Sequence, residues 1–302
     1  MRLVSIIIPT YNPNITRLNR TIQSIFNQSI TNWECFVINN NSSQLFETKI
    51  IKHPQLKVIQ QPKQGLTYAR LKGFEESKGD MIVMVDDDNV LDKDYLKNCT
   101  EIFEKHPNLG AIGGNIEPEF ETEPPQWTKE LWGKLAIRNL GYISMISERE
   151  RKLNEYPLFA PVGAGMAIRK NALNKYIAEI NHQQTIIADR NGDNLSSSGD
   201  NEIVMQILLN NFQVGFFPQL KLIHLIPADR LTKVYLGKLN ESIMQSWTKF
   251  LLKYDICPWQ TFHKNTLKLR LLKAYLKYQP WKGNKDYIVY KGISGQLKGL
   301  SS

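Results

Sequence analysis

Three consecutive carboxylates, Asp86, Asp87 and Asp88, follow an apolar run at residues 81–85. Like charges crowded at a buried strand end repel one another, so the arrangement is costly unless a cation offsets it. A hard divalent ion carrying phosphates does this with oxygen ligands. An isolated acidic triplet also suits a solvated turn, and its meaning rests on what the chain places beside it. Two further polar clusters end apolar runs: Pro9-Thr10-Tyr11-Asn12 and Asn39-Asn40-Asn41-Ser42-Ser43. Farther along, Asp200 sits in Ser198-Gly199-Asp200-Asn201-Glu202, and His224 ends the apolar stretch 220–223 ahead of Arg230. A positioned carboxylate such as Asp200 is suited to taking a proton from a hydroxyl, and is equally suited to starting a helix.

These groups meet only if the intervening elements bring them together. Short β-branched runs at 4–8, 33–38, 57–59 and 81–85 alternate with helical spacing at Leu18, Ile22, Ile25 and Phe26, at 67–77, and at Leu96, Cys99 and Phe103. Such alternation predicts an α/β protein with a Rossmann-like, mostly parallel sheet covered by helices on both faces. Ligands of such sheets bind outside the carboxyl ends of the strands, where the polar clusters fall. A strand is expected over 160–169, interrupted at Gly163-Ala164-Gly165, and a long functional loop over 189–199.

The chain has 302 residues, a net charge of +9 and 42% hydrophobic residues, a globular composition that excludes bulk disorder, fibres and disulfide-stapled mini-proteins. The charge is uneven: residues 221–302 hold 15 Lys and Arg against 4 Asp and Glu. The expected division is therefore a catalytic domain at 1–230 and a basic, helical C-terminal region at 231–302. Three scattered cysteines fit a reducing compartment. With no spanning run and no leader signature, the expected location is cytoplasmic, including the inner membrane face.

The ordered set Pro9-Thr10-Tyr11-Asn12, Gly65-Leu66-Thr67-Tyr68-Ala69-Arg70, Gly79-Asp80 and Asp86-Asp87-Asp88 resembles the family 2 inverting glycosyltransferases of the GT-A fold. Gly163-Ala164-Gly165-Met166, the Asp200 segment and Pro218 with His224 extend the resemblance to roughly residues 3–230. It implies a nucleoside-diphosphate sugar donor, UDP-linked, and a saccharide or lipid-linked acceptor. Carried over by position, it implies Asp86 at the ribose, Asp88 on Mg²⁺ or Mn²⁺, and Asp200 as general base in a single inverting displacement. Pro9, Thr10, Tyr11, Asn39, Arg70, Asp87, Gly165 and Arg230 fall at donor-binding positions, and His224 at a position near the metal.

Two departures from the family pattern stand out: Asn39 replaces the usual Asp that accepts the uracil N3–H, and Gly199 replaces a common Glu. Asn still accepts that bond, without charge, so the resemblance points to uridine less strongly at this position and leaves a different nucleobase open. Arg70 also suits a surface ion pair, His224 a backbone-bonded structural role, and Trp127 with Trp132 either sugar stacking or helix packing. A sugar nucleotidyltransferase would share the Asp-rich sheet edge, but the chain lacks a Gly-rich triphosphate loop after the first strand. A non-catalytic nucleic-acid or membrane-binding protein would explain the basic tail, yet no nucleic-acid motif is present and no nucleic acid is expected as partner. Within the tail, Leu267, Leu271, Tyr275 and Tyr278 are expected on one helix side and Arg270, Lys273 and Lys277 on the other, suiting an anionic membrane surface or packing on the catalytic domain.

Overall fold

The computed structural model describes residues 3–148, 155–181, 190, 195 and 197–301; most of the expected 189–199 loop lies outside them. The chain starts with β1 (Val4–Thr10), α1 (Ile15–Phe26), β2 (Trp33–Asn39), β3 (Leu56–Gln60), α2 (Leu66–Glu76) and β4 (Met81–Met84). It continues with β5 (Asn89–Leu91), α3 (Tyr95–Lys105), β6 (Leu109–Phe120), 3-10 turns over Gln126–Leu135, β7 (Met145–Ile146) and β8 (Ala167–Arg169). Then come α4 (Asn174–Asn181), α5 (Gly199–Leu209), β9 (Gln213–Ile226), α6 (Lys233–Lys253), α7 (Leu267–Tyr278) and α8 (Asn284–Leu300).

One sheet runs β3-β2-β1-β4-β8-β6-β9-β5, with β7 also paired to β9. The expected parallel register holds across β3-β2-β1-β4, and β8 then joins β4 antiparallel. Residues of β1 alternate between two cores: Val4, Ile6 and Ile8 pack with Leu18 and Ile22 of α1 and Leu96 of α3, while Ile7 packs with Ala69 and Phe74 of α2 and Ile203 of α5. Both faces are covered, so the strand is apolar throughout.

Two long strands go beyond the sequence reading. β6 is disguised by Gly110, Gly113 and Gly114, and β9 by Pro218 in its middle. The two pair in parallel with a register shift between Gly113 and Asn115, where β9 bulges. The bulge presses onto Gly114, whose Cβ would lie 2.0 Å from the Leu220 carbonyl oxygen. Only a residue without a side chain admits that approach. The strand expected over 160–169 is reduced to β8, because 160–166 leaves the sheet as a loop around Gly163 and Gly165.

The C-terminal helices share a core with the preceding sheet. Leu231, Leu236, Leu239 and Ile288 cluster with Leu135 and Ile226, and Phe250 and Leu251 with Met205 of α5. A buried polar set reinforces this seam: Glu202 meets Lys253 and accepts a 2.8 Å bond from the Tyr254 hydroxyl, which in turn accepts from Gln206 at 2.9 Å. Among the described residues, no helix is long and apolar enough to cross a membrane.

Candidate active site

The carboxyl ends of β1, β2 and β4 open onto a cleft of about 350 Å³, within the range of small-molecule sites. Pro9, Thr10 and Tyr11 enter from β1, and Asp86, Asp87 and Asp88 from the end of β4. The acidic turn is held by the residue after it: Asn89 Oδ1 accepts from the Asp86 N–H at 3.2 Å, and its Nδ2 donates to Asp88 Oδ1 at 3.2 Å. Asn89 is fully buried. Antiparallel pairing of β5 with β9 places Asn89 opposite His224, and the Leu225 N–H donates to the Asp88 carbonyl at 2.8 Å. Strand register thus brings two residues 136 positions apart, Asp88 and His224, side by side.

Asp88 Oδ1 lies 3.4 Å from His224 Nε2, and Oδ2 lies 3.0 Å from Arg230 Nη1. His224 Nδ1 is 2.9 Å from the Leu135 carbonyl. A carbonyl only accepts, so Nδ1 carries the hydrogen and Nε2 faces the carboxylate. The Arg230 guanidinium also lies 3.2 Å from Nε2, so Asp88, His224 and Arg230 form one contiguous cluster. Burial alone would raise the Asp88 carboxyl, but His224 and Arg230 outweigh it and hold the group well below the ordinary carboxylate range. Asp87 goes the other way: burial, with the neighbouring Asp88 charge, pushes it up to about 7, although the Thr10 hydroxyl donates to it.

The donor atoms fit a divalent ion that keeps phosphate ligands. Asp88 Oδ1 and His224 Nε2 are close together, and the positive charge of Arg230 already balances them. Among the described residues, no group of three or more His, Cys, Asp or Glu side chains is suited to a metal, so an ion here would have only Asp88 and His224 as protein ligands. Mg²⁺ is commonly held in this way, by one or two side chains plus substrate phosphates.

Other sequence candidates separate into two places. Asp200, at the start of α5, is not on the cleft wall. Its Oδ2 accepts from the Gly163 N–H at 2.9 Å and its Oδ1 from the Asn201 N–H at 2.9 Å. Ser198, not Asp200, occupies the helix N-cap position. Arg70, expected near the nucleotide base, is buried against the same loop: a Cβ on Gly163 would lie 2.7 Å from Arg70 Nη2 and 3.6 Å from Asp200 Oδ2. Gly165 has φ +76° and lies behind the cleft, where a Cβ would meet Leu222 Cδ2 at 2.4 Å; its carbonyl accepts from Tyr95 Oη at 2.6 Å. Gly165 therefore supports β9 two residues before His224 and does not line the cleft.

Asn39 departs most from expectation. Its Nδ2 donates to Glu47 Oε1 at 2.7 Å and its Oδ1 accepts from the Ser42 N–H at 3.0 Å, so both ends of the amide are engaged within the β2–β3 connection. Its neighbour Asn40 lines the cleft instead, accepting from the Gly65 N–H at 2.7 Å and donating to the Lys63 carbonyl at 2.8 Å. Glu47, Asn89 and Asn40 were not singled out by sequence; a polar residue directly after a strand was the available signal for the last two.

A further part of the wall was also not foreseen. Lys134 and Leu135 of the 3-10 segment, Ala136 just after it, and Tyr235 and Leu239 of α6 also line the cleft, with Leu135 joined to the acidic turn through His224. Burial pushes the Lys134 ammonium below its ordinary value. Trp127 and Trp132 pack inward, with Trp132 4.9 Å from Phe120 between ring centres.

The site is thus an acidic turn with a neighbouring His–Arg pair at the carboxyl edge of an α/β sheet, and comparison with known proteins makes the class specific. Residues 5–177 match the model of glycosyl transferase family 2, and the chain belongs to that family. It is 23% identical over 137 residues to a glucosyl-dolichyl phosphate glucuronosyltransferase of Haloferax volcanii, covering 42% of each chain. It is 31% identical over 122 residues to a putative glycosyltransferase, EpsH, of Bacillus subtilis, covering 39% of this chain and 35% of that one. The match thus spans less than half the length of these curated relatives. The crystal structure of S. aureus TarS 1-349 in complex with UDP superposes with a TM-score of 0.51 at 16% identity, covering 98% of this chain and 89% of that one, which establishes a shared GT-A fold.

Proposed function

We propose that the protein transfers a sugar, with inversion, from a UDP-sugar to a hydroxyl of a saccharide or lipid-linked acceptor. The observation that carries this reading is the Asp88–His224–Arg230 constellation on the floor of a cleft whose rim holds Thr10, Tyr11 and Asp86. The UDP in the TarS structure and the dolichyl phosphate in the name of the Haloferax relative support the donor and acceptor classes.

In this reading Asp86 takes the ribose hydroxyls, and Asp88 Oδ1 with His224 Nε2 holds Mg²⁺ or Mn²⁺. That ion, when bound, supplies positive charge against the departing diphosphate. Arg230, beside Asp88, and Lys134, from the 3-10 segment, supply positive charge toward the diphosphate. Asp200 accepts the proton of the acceptor hydroxyl as that oxygen attacks the anomeric carbon. The Gly163 N–H and the helix start orient its carboxylate, leaving lone pairs for the incoming hydroxyl. No covalent sugar–enzyme intermediate is required.

Calorimetric titration tests the donor half. UDP with Mn²⁺ is expected to bind, UDP with excess chelator to bind far more weakly, and ADP or CDP with Mn²⁺ to bind less well than UDP. Equal affinities with and without the ion would refute the metal assignment, and a preference for another base the donor assignment.

A further inference from the structure

Between Asp255 and Asp286 the chain has no acidic residue and carries Lys264, Lys268, Arg270, Lys273, Lys277, Lys282 and Lys285. The centre of this stretch is α7, a helix with two apolar sides. Leu267, Leu271, Ala274 and Tyr278 form its inward seam, with Ala274 buried. At 100° per residue, Leu269, Leu272 and Leu276 make a second stripe on the opposite side. They are 55%, 55% and 58% exposed, and Trp281, just beyond the helix, is 55% exposed. Sequence patterning singles out Leu267, Leu271, Tyr275 and Tyr278 instead; of these, Leu267, Leu271 and Tyr278 are half-buried, whereas Tyr275 is 41% exposed.

Charge surrounds the outward stripe. Lys268 and Lys273 flank it, and Arg270 and Lys277 lie farther around; none of the four forms an ion pair among the described residues. Arg270 instead lies over the Phe262 ring and Lys277 over the Tyr278 ring. Leucines without charge partners on one side, cations at the margins and a tryptophan at the end match a helix lying in a lipid–water interface, with anionic headgroups answering the lysines.

We propose that α7 docks the protein on an anionic bilayer, inserting Leu269, Leu272, Leu276 and Trp281 between headgroups held by Lys268 and Lys273. A second copy of this chain is a poor occupant, because it would appose two basic faces. A nucleic acid would answer the cations and leave the leucine stripe exposed. Since α7 packs on α8, and α8 on α6, docking leaves the cleft-lining side of α6 uncovered.

The test is flotation of the full-length protein with vesicles of phosphatidylglycerol and phosphatidylcholine, against phosphatidylcholine alone. Wild type should float with the anionic vesicles only and lose binding as salt rises. Leu269→Ser/Leu272→Ser/Leu276→Ser should lower the partition coefficient by at least about 100-fold, and each Lys→Gln change at Lys268 or Lys273 by about fivefold. All variants should melt as wild type and titrate UDP with Mn²⁺ unchanged, since every altered side chain faces water. Three results would overturn the proposal: wild type remaining at the bottom of the gradient at low salt, the triple-leucine variant floating like wild type, or a dimer in sedimentation that the leucine changes dissociate without vesicle binding having occurred.

Discussion

Replacing Asp88 by Asn removes one charge from a nearly closed polar shell. The carboxylate is 4% exposed and balances Arg230 at 3.0 Å, with His224 Nε2 at 3.4 Å. Removing one partner of a buried ion pair costs about 3–5 kcal/mol because the other charge remains desolvated. Here Arg230 retains 22% side-chain exposure and Asp87, freed of repulsion from Asp88, offsets part of the loss. The expected cost is therefore about 2–4 kcal/mol, or a Tm lowered by roughly 3–6 °C. Its pH dependence has a definite sign. A carboxyl depressed in the folded state contributes stability above its unfolded pKa, about 3.9, and that stability is lost as pH falls through the folded value. The gap between wild type and Asp88→Asn in thermal melts should close in acid, and should also narrow as pH rises through about 7, where the raised Asp87 carboxyl ionises at a cost in wild type that the variant partly escapes. Binding of UDP with Mn²⁺ should weaken by at least about 100-fold in the same variant. A variant that melts with wild type across this range and still binds UDP with Mn²⁺ would refute both the electrostatic account and the metal assignment.

Asp200→Asn keeps an oxygen for the Gly163 N–H but lacks basicity, so transfer should fall roughly 10²- to 10⁴-fold while UDP titration is unchanged; full turnover would remove Asp200 from the chemistry. Gly165→Ala must fit a Cβ 2.4 Å from Leu222 Cδ2 at φ +76°, and should cost about 2–4 kcal/mol in urea denaturation. Asn39→Asp sets a second carboxylate against Glu47, where an amide now donates, and should destabilise by about 1–3 kcal/mol without tightening UDP binding; adding Glu47→Gln should restore stability. Tighter UDP binding in the single variant would show that position 39 contacts the base after all.

The sheet around β1, β2 and β4 was legible because strands buried on both faces read as unbroken apolar runs, and polar residues at their ends mark the ligand edge. The second half of β9 was legible as the apolar run ending at His224, but β6 and the first half of β9 were hidden for a local reason: glycine and proline that ordinarily end strands here accommodate a bulge between two strands pressed together. Asp88 could be read from its neighbours, but its pairing with His224 and Arg230 depends on where β9 returns, which no local pattern encodes. Asn39 was misjudged because its partner Glu47 lies in an irregular connection. In α7 the apolar period was correctly read as amphipathic, yet a helix with two apolar stripes does not reveal from sequence which one the protein keeps.

The pairing of Asn89 with His224 has a consequence for how this chain can change. Asp88 and His224 meet through ladder hydrogen bonds between two strands, so their separation has the stiffness of a sheet, whereas Lys134, Arg190 and the Gly163 loop reach the cleft and its surroundings from irregular segments. A slip of one residue in β5 would point Asp88 to the opposite face and abolish the pair outright. Intermediate geometries are not on offer. The two parts of the site are therefore adjustable to very different degrees: insertions and substitutions in the connecting segments can reshape the cleft wall, which on the proposed reading retunes which sugar and acceptor fit, while the Asp88–His224 end behaves as a fixed socket that is either present or lost.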